Sequence, residues 1–121
     1  KMWSEIQARP SLVRFPNGES FLEMQGRALE SVKSLAIPGA EILVCSHGDV
    51  IKAIVAGLVG LHLDNFQRLT IDPASITVID LFAESAQIRL MNSTVHLKEP
   101  KGLSTGSSKL NLGGGSGTKS K

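Results

Sequence analysis

The sequence predicts an α/β fold, in which helices cover a mostly parallel sheet and an antiparallel hairpin follows near the C-terminal end. Three patterns predict this class: a helical apolar periodicity over residues 20–36, an almost continuous apolar run over 41–46, and alternating apolar residues over 74–82 and 87–92. Because the chain has 121 residues, of which 41% are hydrophobic, we expect one small domain with a single core.

The first long helix is predicted to begin at a capping box. Ser20 is followed three residues later by Glu23, so each side chain can accept a hydrogen bond from a backbone amide of the first turn. Pro38 and Gly39 then end the helix. Its apolar positions recur every three or four residues and predict one stripe facing a core: Phe21, Met24, Ala28, Val32 and Leu35.

The apolar run over residues 41–46 predicts a central strand that is covered on both faces. Cys45 lies inside this run, and as the single cysteine it is expected to be a buried, reduced thiol. A second helix is predicted over residues 50–59, with Asp49 as its N-cap and Gly60 at the left-handed position after its last turn. The two alternating segments that follow predict the hairpin.

Composition divides the chain at residue 97. Residues 98–121 carry five lysines and one glutamate, a net charge of +4, whereas residues 1–97 carry a net charge of −2. We expect residues 1–97 to fold and the Gly-, Ser- and Lys-rich tail to be disordered and solvated, although its lysines could contact nucleic acid or a membrane surface. The first ten residues resemble the last turns of a helix without a start signal, which suggests a chain cut from something longer.

Composition also limits the partners and cofactors. Aromatic residues make up 4% of the chain and tyrosine is absent, which disfavours stacking on nucleic-acid bases. No apolar run approaches the roughly 20 residues of a bilayer span and no signal peptide is visible, so we expect a cytoplasmic protein without membrane or nucleic-acid partners. The three histidines lack metal-ligand spacing, and neither a metal nor another cofactor is expected.

His47 is the first candidate for a site residue. It lies at the carboxyl end of the predicted central strand and just before a helix, which is where ligands bind in open α/β sheets. Gly48 lets the backbone approach a ligand closely, and a helix N-terminus favours phosphate or carboxylate. The residues alone leave two interpretations open: a ligand-binding histidine, or a turn residue whose ring is satisfied by backbone groups.

Three segments, FPNGES, VCSHGDVIKAIVAGLVGLHLDNFQRL and DPASITVI, together resemble the C-terminal half of the histidine phosphatase superfamily, which has the phosphoglycerate mutase-like fold. The resemblance covers residues 3–92 and is nearest to a bacterial branch of phosphomutases and phosphatases. It depends on GES at residues 18–20 occurring together with SHG at residues 46–48 at this separation. The family fold implies that residues 1–97 are part of a three-layer arrangement.

The resemblance implies phosphatase or phosphomutase chemistry on a small phosphorylated metabolite. In this family a first histidine, within an Arg-His-Gly motif, attacks the phosphoryl group and becomes phosphohistidine. A second histidine, which aligns with His47, and two arginines bind the phosphoryl oxygens. Glu19 is placed at the pocket margin, where it could orient substrate or a pocket arginine, or instead accept backbone donors at the helix start. Ser20 and Gly48 are further candidates for the substrate-binding side, chiefly as a helix cap and for backbone shape.

Parts of the family site are missing from the sequence. The chain contains no Arg-His-Gly, and in relatives the further pocket arginine and the general-acid glutamate also lie upstream of the matched region. We therefore expect half of a site, an almost inactive isolated chain, and a missing N-terminal half as its partner. The alternative is a non-catalytic remnant that binds anions or a partner at the same strand end. His62 and His96 are expected to be surface or turn residues. Lys52 and Arg68 could add positive charge near the pocket, but exposed basic residues more often face water, and this is the expectation for both.

Overall fold

The computed structural model describes residues 2–97. The predicted disordered tail lies outside these residues. The helical character predicted near the start of the chain is confirmed for Met2–Ala8, which form α1. In chain order the elements are α1 (Met2–Ala8), a 3₁₀ turn (Pro10–Leu12), α2 (Phe21–Leu35), α3 (Gly48–Val59), a 3₁₀ helix (Leu63–Arg68), and the strands β1 (Ile76–Leu81) and β2 (Ala86–Ser93).

Helix α2 begins at the predicted capping box. The Ser20 hydroxyl accepts a hydrogen bond from the Glu23 amide at 3.1 Å, and the Glu23 carboxylate accepts one from the Ser20 amide at 2.8 Å. These two bonds satisfy donors that the first turn of a helix leaves without intrahelical acceptors. Phe21, Met24 and Ala28 are buried, whereas Leu35 is exposed, so the apolar stripe contacts the core along its first half.

Helix α3 begins earlier than predicted. Its N-cap is His47 and its first helical residue is Gly48, so the assignment of Asp49 as N-cap is wrong. Asp49 instead lies within the first turn and faces Lys52, one turn further along the helix. The predicted end is confirmed: Gly60 has a φ of 74°, a conformation that a residue without a Cβ adopts readily.

The core lies where α2 and α3 pack against each other and against the 3₁₀ helix that follows α3. Phe66 of that helix is fully buried, and its ring centroid lies 5.6 Å from that of Phe21. At Gly57 the two long helices approach closely, because a Cβ there would come within 2.5 Å of the Leu29 side chain. The buried cluster comprises Ile6, Val13, Phe21, Met24, Ala53, Ala56, Leu63 and Phe66.

The predicted hairpin is confirmed. Strands β1 and β2 pair in antiparallel fashion, with Leu81 opposite Ala86 and Ile79 opposite Ile88. The register is irregular on both sides of Val78, where the two strands no longer match residue for residue. This hairpin is the sheet that the described residues form.

Residues 41–46 differ from the prediction of a buried strand. They are assigned to neither helix nor strand, and Leu43 is 87% exposed. Cys45 is also exposed, so the expectation of a buried thiol is wrong. The reason is that a buried strand needs partner strands along its edges, and the sheet formed within residues 2–97 pairs no strand with this segment. The mixture of helices and strands agrees with the α/β class, and the mostly parallel sheet of a three-layer fold stays a prediction.

The longest helix within residues 2–97 is α2, with 15 residues. A bilayer span needs about 20. The described part of the chain therefore contains no candidate transmembrane helix.

Candidate functional site

His47 occupies the start of α3. Its backbone is extended, with φ −100° and ψ 153°, and its carbonyl accepts the first hydrogen bond of the helix from the Ile51 amide at 2.9 Å. The imidazole does not cap the helix, and the residue is exposed. Because the first amides of a 12-residue helix carry partial positive charge, the ring and the helix start can act together on an anion.

Gly48 is buried at the first position of the same helix. A glycine there adds no side chain between the helix amides and a ligand, and its role in substrate binding stays a prediction. His47 and Gly48 are thus brought together at one helix start, as the sequence predicts.

Below the start of α3 lies a polar group whose burial the sequence patterns do not predict. Lys52 is 5% exposed, so the expectation that it faces water is wrong. Its ammonium donates to the Gln67 Oε1 atom at 3.2 Å and lies 3.7 Å from the Asp49 Oδ1 atom. The sequence does contain a signal for this burial, because apolar residues flank Lys52 on both sides. A lysine within an apolar stretch is often buried along with a polar partner.

Glu19, at the start of α2, forms a two-bond ion pair with Arg27. The Arg27 Nη2 and Nε atoms donate to the two carboxylate oxygens at 2.6 Å and 3.1 Å. This hydrogen bonding lowers the pKa of Glu19 and raises the pKa of Arg27. Glu19 therefore holds Arg27, a residue of α2, in place, and its role toward substrate or a pocket arginine stays a prediction.

A second arginine lies at the same helix start. Arg14 donates to the Glu23 carboxylate and, at 3.1 Å, to the Gly18 carbonyl. The Ser20 amide first, and Arg14 second, lower the pKa of Glu23 by hydrogen bonding to its carboxylate. Ser20 is thus confirmed as a helix cap. Sequence reasoning missed Arg14, because its pairing with Glu23 depends on the chain reversal between them.

The four predicted site residues lie at two helix starts. Glu19 and Ser20 precede α2, and His47 and Gly48 stand at the beginning of α3. The two helices pack against each other, but no hydrogen bond or ion pair within residues 2–97 joins the two pairs. The described residues therefore present two separate polar helix starts.

The other two histidines make local contacts. The His62 Nδ1 atom accepts a hydrogen bond from the Asp64 amide at 3.1 Å, and the His96 Nε2 atom lies 2.8 Å from the Ala74 carbonyl oxygen. Both residues are exposed, in agreement with the prediction of surface or turn positions. Arg68 is exposed as predicted. Within residues 2–97 no three His, Cys, Asp or Glu side chains are grouped as metal ligands would be.

Two surface depressions of the described residues lie away from His47. One, of about 500 Å³, is lined by α1 and the turn after it; the other, of about 350 Å³, lies between the first two turns of α2 and the end of α3.

Comparison with known proteins supplies the family. The pattern of the histidine phosphatase superfamily (branch 1) matches residues 1–94. A protein of Hydrogenobacter thermophilus named "Putative phosphoserine phosphatase 2" is 32% identical over 87 residues, which cover 69% of this chain and 42% of that protein. The match thus spans less than half the length of this relative. The family match and the motifs around Glu19 and His47 lead to one conclusion: the chain belongs to the histidine phosphatase superfamily.

Proposed function

We propose that this chain is the C-terminal part of a phosphatase or phosphomutase that acts on a small phosphorylated metabolite, and that His47 binds the phosphoryl group. The observation that carries the proposal is the position of His47. In a chain of the histidine phosphatase superfamily, its imidazole is exposed at the N-terminus of α3 and is not used to cap that helix. A ring so placed is available to donate a hydrogen bond to a phosphoryl oxygen.

The proposed reaction proceeds by transfer through a histidine. A nucleophilic histidine in an Arg-His-Gly segment outside this sequence attacks phosphorus and forms phosphohistidine as the phosphorus–oxygen bond to the substrate breaks. The general-acid glutamate, which in relatives lies upstream of the matched region, gives its proton to the leaving alcohol oxygen. Water then attacks the phosphohistidine in a phosphatase, or a second hydroxyl group does so in a mutase. In both steps His47 and the first amides of α3 stabilise the negative charge on the non-bridging phosphoryl oxygens.

We further propose that residues 41–46 complete a mostly parallel, three-layer sheet with strands of the missing half. The exposure of Ile42, Leu43 and Val44 supports this, because three consecutive apolar side chains at 44%, 87% and 46% exposure are costly in water. The half that carries Arg-His-Gly is thus the proposed partner. Pairing would also fix His47 at the end of a strand, where ligands bind in folds of this class.

Phosphoserine is the first substrate to test. The name of the Hydrogenobacter relative refers to this compound. It belongs to the class of small phosphomonoesters that the proposed mechanism requires, and a cytoplasmic location, which stays a prediction, would suit such a substrate.

The test uses the chain alone and the chain joined to the N-terminal region of a superfamily member that contains Arg-His-Gly. Hydrolysis of para-nitrophenyl phosphate and of phosphoserine would be measured for both proteins, together with acid-labile phosphate on the protein. We expect turnover and acid-labile phosphate only in the joined protein. The matched control replaces the histidine of the added Arg-His-Gly with alanine and should abolish both.

A folded joined protein that hydrolyses neither compound and carries no acid-labile phosphate would contradict the proposal. The non-catalytic, anion-binding interpretation would then take its place.

A further inference from the structure

A buried ion pair lies directly beside the proposed phosphate-binding residue. Asp49, two residues after His47, is in the first turn of α3, and its Oδ1 atom is buried 3.7 Å from the Lys52 ammonium. The Asp49 side chain is 19% exposed and that of Lys52 is 7% exposed. The ammonium is also anchored to the next element, through its hydrogen bond to Gln67.

This ion pair bears on the repulsion between the Asp49 carboxylate and a bound phosphoryl group. A carboxylate in the first turn of α3 lies near the same partial positive charge that would hold a phosphoryl group. Two negative groups at this helix start repel each other, and the repulsion is stronger where protein partly excludes water. An Asp49 carboxylate that pointed at the ligand would therefore weaken phosphate binding.

We propose that Lys52 is a positioning residue for phosphate binding: it holds the Asp49 carboxylate inward and neutralises it, so that the start of α3 beside His47 remains an anion acceptor. The inference rests on the proposed function of His47. The charges support it, since the Lys52 ammonium and the Asp49 carboxylate cancel within one helical turn.

Two other roles for Lys52 lead to different results. As a direct phosphate ligand its ammonium would need to reach the ligand, but it is 5% exposed and its Nζ atom is bonded to Gln67. As a purely structural pair with Asp49, it would affect folding without changing the affinity of the folded chain for phosphate. Only the positioning role predicts two results together. Loss of the Lys52 charge should lower the affinity for phosphate, and loss of both the Lys52 and the Asp49 charges should restore it.

The experiment is a titration of the 121-residue chain with inorganic phosphate, followed by NMR at the Gly48 amide and the His47 ring. Lys52→Met retains the length and packing of the buried stem but removes its charge. We expect it to weaken phosphate binding about tenfold, and the double variant Lys52→Met with Asp49→Asn to return to within about twofold of wild type. Lys33→Met, at an exposed position of α2, is the matched control for loss of a positive charge and should leave the affinity unchanged.

Asp49→Asn alone provides an independent measurement if Lys52→Met fails to fold. It retains the size of the side chain and leaves the Lys52 charge, so we expect phosphate affinity to rise. An unchanged or reduced affinity in this variant would overturn the inference. So would a folded Lys52→Met chain with unchanged affinity, or a folded double variant whose affinity is not restored.

Failure of the proposed function has a different signature. In that case neither the wild-type chain nor the joined protein would show a phosphate-dependent shift at Gly48 or His47, whatever the variants do. The inference would fall with it.

Discussion

The starts of the two long helices differ in how their polar groups are satisfied. At α2, Ser20 and Glu23 close the first turn, and Glu19 pairs with an arginine of the same helix. At α3, the His47 ring is exposed and makes no capping bond, and the segment before it, residues 41–46, is exposed and apolar. The first helix start is complete within its own neighbourhood, whereas the second is left available for other groups.

This difference separates a helix start whose polar groups stabilise the fold from one whose groups remain exposed. Polar side chains that are fully engaged with local backbone and charge partners stabilise a helix start and have little capacity left for a ligand. Polar and apolar groups that the described residues leave exposed at one place are candidates for binding. We therefore expect the start of α2 to contribute chiefly to stability, whereas the start of α3 is the one that we propose for ligand binding.

The largest expected effect is on the free energy of unfolding, and it contrasts the buried cluster shared by α2 and α3 with the exposed segment of residues 41–46. Phe66→Ala removes a fully buried ring from the cluster shared by α2 and α3, and we expect it to lower the free energy of unfolding by about 3–5 kcal/mol. Leu43→Ala, at a position that is 87% exposed, should change it by less than about 0.5 kcal/mol. Urea unfolding followed by circular dichroism measures both. A comparable loss in the two variants would show that residues 41–46 are packed in the chain.

The exposed apolar segment of residues 41–46 should also promote self-association of the isolated chain. Leu43→Lys places a charge within the exposed apolar segment, and we expect it to weaken association of the isolated chain about tenfold, as measured by sedimentation equilibrium. Leu12→Lys is the matched control, because Leu12 is 75% exposed but lies in the turn after α1. A wild-type chain that is monomeric and melts cooperatively would contradict this expectation.

A smaller effect compares the two N-caps directly. Ser20→Ala removes the hydroxyl that accepts from Glu23 and should cost about 1 kcal/mol of stability. His47→Ala should cost less than about 0.5 kcal/mol, because the imidazole does not cap α3. Equal losses in urea unfolding would remove the contrast between the two helix starts.

The smallest effect is the pH dependence of the capping box. The pKa of Glu23 is lowered in the folded chain, mainly by the Ser20 amide and then by Arg14. A group of this kind stabilises the fold above its unfolded pKa, and the stabilisation is lost as the pH falls through the lower, folded pKa. Glu23→Gln retains an acceptor but does not titrate, so its stability should fall less between neutral pH and about pH 3. An identical pH profile in wild type and Glu23→Gln would contradict the assignment.

The features that could be predicted from the sequence are those decided by near neighbours. The capping box needs only Ser20 and Glu23, and the end of α3 needs only the conformational freedom of Gly60. The hairpin follows from alternation over two adjacent segments. His47 could be singled out for the same reason, since an apolar run followed by a helix places it at the junction.

The features that could not be predicted depend on distant partners. Burial of Lys52 requires Gln67, which is 15 residues away and in another element. The exposure of residues 41–46 could not be deduced from their composition, because an apolar run indicates a need for neighbours without showing that they are present. The side chain of Asp49 is suitable for a cap and predicts one there, but α3 includes Gly48, and its N-cap is therefore His47.

The most direct test of the central claim is the effect of His47→Ala on kcat/KM for para-nitrophenyl phosphate in the chain joined to an Arg-His-Gly segment. His62→Ala is the matched control, because His62 is also an exposed histidine at the N-cap of a helical segment. We expect His47→Ala to lower kcat/KM about 100-fold or more, through loss of a donor to the transition state, and His62→Ala to leave it within about twofold of wild type. Equal activity of the two variants, with both proteins folded, would contradict the assignment of His47 as the phosphoryl-binding residue.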